Sequence, residues 1–353
     1  MSILIAVLLF SFLIFVHELG HFSTAKLLGV QVKEFSLFMG PAIWKKQIGE
    51  TQYTLRCIPI GGYCAMEGED IDTESPRSFQ KAAWWKRLII LAAGAAMNFL
   101  FGLILLGIVY APAKEIAVPV IDFFEEGCAL NGADGLMADD EIYSIDGERV
   151  YTSSDFSLIL SLNPGQQHDL VVKRGNEKVR LNDFSMVKRE FTEEDGTVSL
   201  RYGFSFSVVP ATLWEKTRFI WNTAMSNVQL VKLSLKMLLT GQAGFKDMGG
   251  PVMIVDQMSQ VAQQSETAYD AFMNLIYFGA FLAINLAVMN LLPIPALDGG
   301  RIACLLITTV IEAITRKKLN PRYEAYIHSV GMILLLILMG LIMFKDIFTI
   351  IKR

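Results

Sequence analysis

Ile3-Leu4-Ile5-Ala6-Val7-Leu8-Leu9-Phe10-Ser11-Phe12-Leu13-Ile14-Phe15-Val16-His17-Glu18-Leu19-Gly20-His21 is the stretch that decides how this chain is read. Residues 3 to 16 are apolar except Ser11, and they run without a break into the polar pentad. Continued to Leu28, the run reaches the roughly 20 residues that a bilayer-crossing helix requires. Ionisable side chains inside hydrocarbon are costly, so they mark a task. Residues four apart on a helix share a face, so His17 and His21 can aim both imidazoles at one point. Two histidines so spaced form a divalent-metal ligand pair. Glu18, beside the first, is placed to act on a water at the metal rather than on the metal itself. The expectation is a zinc enzyme that works inside the bilayer. The competing reading is two buried histidines satisfied by their neighbours. A cleaved signal peptide is disfavoured: no positive residue precedes the apolar run and no small-residue cleavage site follows it.

Outward from this helix, composition sets the class. The chain has 353 residues, 53% of them hydrophobic, too apolar for an ordinary soluble enzyme and too charged for a bare bundle of spans. Four apolar runs, near Ile3–Leu28, Leu88–Ala111, Ala271–Leu292 and Ile327–Phe344, predict four transmembrane helices. A long polar stretch separates the second run from the third. The net charge is −4, unevenly spread. Lys26, Lys33, Lys45, Lys46, Arg56, Lys81, Lys86 and Arg87 follow the first run, and Arg301, Arg316, Lys317, Lys318 and Arg322 lie between the third and fourth. With four spans both loops fall on one side, which the positive-inside tendency makes cytoplasmic. The insert is then outside; it carries Glu125, Glu126, Asp139, Asp140, Glu141, Glu193, Glu194 and Asp195. No basic stripe marks a nucleic-acid surface. Cys57, Cys64, Cys128 and Cys304 form no close ligand pair, and a structural disulfide is not expected.

Residues 1–112 read as the first two spans with a β region between them. Within it, Val30 to Tyr63 alternates at strand period, with a turn at Gly40-Pro41. This region is either a peripheral cytoplasmic hairpin sheet or a segment that dips toward the metal, where the strand around Phe35, Ser36, Leu37 and Phe38 is expected to offer an edge to an extended substrate. Trp84, Trp85, Lys86 and Arg87 anchor the second span at the interface. Asn98, an amide within that span, is either an interhelical hydrogen bond or a polar group of the site. Residues 113–209 read as an α+β insert: a short helix at Asn131-Gly132-Ala133, a hairpin turn at Asp146-Gly147, a helix from Phe156 to Leu162 and a strand around Leu170-Val171-Val172. Residues 210–270 hold two amphipathic interfacial segments, Trp214–Leu239 and Met253–Val261. Residues 271–353 hold the last two spans.

A catalytic zinc takes three protein ligands and keeps one position open. Asp298 is the candidate partner for His17 and His21. Pro293 and Pro295 unwind the third span just before it, and Gly299-Gly300 lets the backbone turn closely after it. An aspartate capping the next helix is the ordinary alternative. Asn290, before the prolines, could hold the scissile backbone or a developing oxyanion.

Taken together, His17-Glu18-Leu19-Gly20-His21, Asn98-Phe99 and Asn290-x-x-Pro293-x-Pro295-x-Leu297-Asp298-Gly299 resemble the site-2 protease family, and nearly the whole chain takes part. Gly127-Cys128-Ala129, Gly132 to Leu136 and Ile145-Asp146-Gly147-Glu148-Arg149-Val150 resemble a PDZ domain. Ala95 departs from the proline that many members carry in the second span, and one PDZ-sized insert fits. The resemblance implies an intramembrane zinc metalloendopeptidase of a bacterial inner membrane. It would cut single-pass membrane proteins, anti-sigma factors or remnant signal peptides, after another protease has trimmed them. His17, His21 and Asp298 would hold Zn2+, Glu18 would be the catalytic base, and Asn290, Phe35–Phe38, Asn98 and Pro293 would meet substrate. Two rivals come from other classes: a non-catalytic membrane PDZ scaffold that binds exported chain ends, and a zinc carrier. The scaffold predicts a damaged metal site, and the carrier predicts further ionisable residues across several spans.

Overall fold

The computed structural model describes residues 2–69, 73–132, 134–192, 198–244, 246, 248–317 and 322–351. Ala133, Glu193, Glu194, Asp195 and Lys318, named above, lie outside the described residues. The chain forms two compact units, Met1–Val109 with Leu230–Arg353, and Tyr110–Gln229. In chain order the first unit begins with α1 (Ser2–Leu28), β1 (Val32–Ile48), β2 (Thr51–Met66) and α2 (Trp84–Tyr110). The second holds β3 (Glu115–Phe124), β4 (Glu141–Ile145), β5 (Glu148–Arg149), α3 (Ser153–Leu162), β6 (Gln167–Arg174), β7 (Glu177–Ser185), β8 (Arg189–Thr192), β9 (Val198–Arg201) and β10 (Phe204–Pro210). Helix α4 (Leu213–Leu239) leads back to the first unit, which ends with α5 (Pro251–Gln264), α6 (Ala268–Asn290), α7 (Asp298–Thr315) and α8 (Arg322–Ile351).

Four helices are long and apolar enough to cross a membrane: Ile5–Leu28, Trp84–Tyr110, Ala268–Asn290 and Tyr326–Thr349. The four runs in the sequence therefore become four span-length helices. Side chains such as Val330, Leu334 and Leu341 on the last of them point outward, as hydrocarbon-facing residues do. The segment between the third and fourth spans, expected as a loop, contains α7. The prolines end α6, Asp298 opens the new helix, and Arg316 closes it in a left-handed C-cap at φ 55°.

The β region folds as one two-element sheet rather than two strands broken at Gly40-Pro41. β1 runs through that point on irregular backbone, with Phe38 at φ 68° and Gly40 at φ 86°, and the reversal comes at Gly49-Glu50. Shifts in register double part of the ladder. Phe35 faces both Cys64 and Tyr53, Ser36 faces Tyr63 and Thr54, and Leu37 faces Gly62 and Leu55. Arg56 ties the layers, donating to Ser36 Oγ at 3.0 Å, the Gly40 carbonyl at 2.6 Å, Glu34 at 2.8 Å and Tyr63 Oη at 2.6 Å. The sheet buries Val32, Phe35, Cys64 and Met66 against Ala25 of α1, Ile90 and Leu91 of α2 and Leu305 of α7. That common core fixes the sheet against the helices that carry the polar residues.

In the second unit the sheet order is β10-β3-β4-β6-β7, with β5 on β4. Its core gathers Ile121, Leu136, Ile142, Ile145, Phe156, Ile159, Leu170 and Val172. Asp146 (φ 51°) and Gly147 (φ 79°) make the tight turn between β4 and β5, as Asp-Gly between strands predicts. Helix α3 starts one turn earlier than its apolar pattern, because Asp155 accepts from the Tyr151 and Thr152 amides at 2.8 Å each and anchors the first turn. The short helix expected at Asn131-Gly132-Ala133 is corrected: the described residues form turns and one bridge, Asn131 to Leu136. Gly132 within the segment and Gly135 just after it favour turns over a helical nucleus.

Candidate metal centre

Helix α1 delivers two imidazoles by periodicity alone. His17 and His21 stand edge to face, ring centroids 4.8 Å apart, with their Nε2 atoms separated by 3.1 Å. Asp298 arrives from elsewhere in the same unit: its Oδ2 lies 3.0 Å from His17 Nε2 and 3.3 Å from His21 Nε2. The sequence pairing of both motifs is thus realised in one place. Among the described residues, these three side chains are the group able to hold a metal ion.

The triangle fits zinc. Tetrahedral ligands at the usual distances of about 2.0–2.2 Å stand roughly 3.3 Å apart. The three edges here come close to that figure. Asp298 Oδ2 is buried and makes no aligned hydrogen bond, so the lone pairs converge on a point that calls for a cation. His21 Nδ1 lies 2.8 Å from the Ile90 carbonyl. A carbonyl only accepts, so Nδ1 carries the hydrogen and Nε2 presents its lone pair to the centre. The second span closes the back of the site. A Cβ on Gly94 would sit 2.5 Å from His21 Nε2 and 2.7 Å from His17 Cε1, so a side chain there has no room.

Asn290, the last residue of α6, brings its amide to 3.5 Å from His17 Nδ1. That contact makes it a neighbour of the ligand. Asn98, one turn along α2 from Gly94, is buried, and neither end of its amide finds a hydrogen-bond partner among the described residues, so of its two readings the interhelical bond is not made there. Pro293 lies exposed in the turn between α6 and α7. Phe35 and Ser36 are buried, and Phe35 packs between Phe15, Phe22 and Tyr53. With partners on both sides, Phe35–Leu37 is interior to the sheet, and the expected strand edge lies elsewhere. Pro59–Gly62 of the sheet meets Ser11 and comes beside Glu18 on α1. Ser11 Oγ donates to the Pro59 carbonyl at 2.7 Å, and a Cβ on Gly62 would lie 3.9 Å from Glu18 Cγ. The register gives Gly62 one partner, Leu37. The reading from sequence missed the Ile90 carbonyl, Gly94 and Gly62. Of these only Gly94 left a trace, as the first of the small residues Gly94-Ala95-Ala96, which let helices approach closely.

Residues 5–338 match peptidase family M50. The chain is 36% identical, over 98% of both chains, to a protein of Clostridium perfringens provisionally named a zinc metalloprotease. It is 34% identical to a similarly named protein of Clostridium acetobutylicum, over 98% of this chain and 97% of the other. It is 27% identical to the regulator of sigma-W protease RasP of Bacillus subtilis, over 98% of both.

Proposed function

Because this chain belongs to peptidase family M50, the site-2 proteases, we propose that it hydrolyses peptide bonds within the transmembrane segments of other membrane proteins. It is a zinc metalloprotease and a multi-pass membrane protein. The observation that carries the finer reading is the closed triangle that Asp298, at the start of α7, makes with His17 and His21 of a span-length helix. Zinc held there supplies a Lewis acid and brings the pKa of a water toward 7. Glu18 takes the proton of the attacking water and returns one to the leaving amine nitrogen. Asn290 steadies the His17 ring, and His21 is held by the Ile90 carbonyl. A helical substrate hides its amides, so the segment to be cut must unwind. The outer strand at Gly62, beside Glu18 and paired on one side, is where an extended stretch would add.

The substrate class is single-pass membrane proteins, such as anti-sigma factors or remnant signal peptides, already trimmed by another protease. Residues 113–209 act as a PDZ-like module outside a bacterial inner membrane, and the metal lies toward the cytoplasmic face, following the loop charges. The decisive experiment is Glu18→Gln in the full chain. Bound zinc should stay near one equivalent while cleavage of a model span falls by about 10²–10⁴-fold, the usual contribution of a general base. Loss of zinc in this variant would make Glu18 a ligand instead. Sidedness is tested by labelling Asn176→Cys with a membrane-impermeant thiol reagent on intact cells. Labelling only after lysis would reverse the assignment.

A further inference from the structure

Two of the four histidines face the metal centre, and a third, His168, pairs with Asp146 at 2.8 Å. The fourth, His328, belongs to α8, the last span, which supplies no ligand. The amide of Ala296 donates to His328 Nδ1 at 3.1 Å. Ala296 has φ 77°, a left-handed conformation that is unfavourable for any residue with a Cβ and persists only where its surroundings enforce it. Asp298 follows two residues later. The turn is gripped from both sides. A Cβ on Gly331 of α8 would lie 2.3 Å from Pro295 Cβ, and one on Gly300 of α7 would lie 2.3 Å from the Ile294 carbonyl oxygen. With both glycines pressed onto the turn, His328 provides the hydrogen bond that fixes its direction.

We infer that His328 is a positioning residue for the third ligand: it holds Ala296 in the left-handed region and so sets the line along which the Asp298 carboxylate meets the two imidazoles. This rests on the reading of Asp298 as a zinc ligand. A backbone N–H is the donor, so the ring must offer a lone pair at Nδ1. A replacement needs an acceptor in that place rather than bulk.

The test measures zinc release from the purified full chain to a chromogenic chelator, alongside zinc content and thermal unfolding. His328→Ala should weaken zinc retention about ten- to hundred-fold, the range seen when a group behind a ligand is removed. His328→Asn, whose carbonyl can accept from Ala296, should restore most of it. Ala296→Gly removes the left-handed penalty. In that background the loss on His328→Ala should shrink severalfold, a coupling that loss of packing alone would not produce. Asp298→Ala is the reference. If it keeps zinc, the ligand reading falls and this inference with it. If it loses zinc while His328→Ala retains it as tightly as the unaltered chain, or while Asn and Ala at 328 are equally damaging, the positioning role is wrong.

Discussion

The two halves of the metal centre are built by opposite means. His17 and His21 lie one turn apart on an uninterrupted helix, and their spacing follows from helical periodicity alone. Asp298 follows a turn with two prolines and a left-handed alanine, and two glycines come directly after it. A regular helix can offer ligands along one stripe, but it cannot bring a third from the opposite side. Irregular backbone can, and at membrane depth it survives only where protein encloses it. Here α7 and α8 close on it. The comparison teaches that the helical half owes little to its neighbours and the turn owes them nearly everything.

The largest expected effect is common to both halves. His21→Ala and Asp298→Ala should each reduce bound zinc from about one equivalent to near none, since a catalytic zinc has three protein ligands. Metal content of the purified protein checks this. A variant that kept its zinc would remove that residue from the ligand set.

A second acidic residue sharpens the contrast. Asp346, within α8, is fully buried and has no place in the metal centre. It accepts from the Gly250 amide at 2.9 Å and the Met253 amide at 3.3 Å, capping α5 from another helix, with Lys345 at 3.4 Å. Asp346→Ala should destabilise the first unit by about 3 kcal/mol or more, the cost of stripping one partner from a buried charged pair. Asp346→Asn keeps an acceptor and should cost about 1 kcal/mol. Unfolding in detergent distinguishes them. Equal midpoints for Ala and Asn would show that the cap is not what holds this helix end.

The helical half has one dependence of its own. Gly94→Ala forces a methyl toward both imidazoles, and zinc should be released roughly ten- to hundred-fold more readily. Ala96→Leu, on the exposed face of the same helix, should change nothing measurable. If both behave alike, the close approach of the second span does not matter to the ligands.

What could be read in advance follows the same division. The pentad at His17 was legible because its geometry is local, and the four spans were legible because hydrocarbon demands length and apolarity that no partner residue alters. Asp298 was legible only as one of two readings, ligand or helix cap, since Asp-Gly-Gly serves both; in the fold it opens α7 and meets the histidines as well. The strand edge was misplaced because Phe35–Leu37 alternates like a half-exposed strand, whereas register shifts in β1 give it neighbours on both sides. His328 and Asp346 work through contacts across long sequence separations, of which composition and period carry no trace, and Gly94 showed only as the start of a run of small residues.

The smallest effect separates the two units. In the second, Asp146 is pushed up by burial, but hydrogen bonds from His168, the Asp169 amide and Asn163 outweigh this and hold its carboxyl below the ordinary carboxylate value. A depressed pKa adds stability that is present above the unfolded value, near 3.9, and fades as pH falls through the lower folded value. Asp146→Ala should therefore lower the unfolding midpoint of this unit at neutral pH, and the difference from the unaltered chain should shrink as pH falls below the unfolded value. The residue is partly exposed, so the loss should stay under about 1 kcal/mol. Zinc content should not change, because the candidate ligands His17, His21 and Asp298 all belong to the other unit. A variant whose deficit persisted unchanged into acid would owe it to the lost turn geometry at Asp146-Gly147 rather than to the charge.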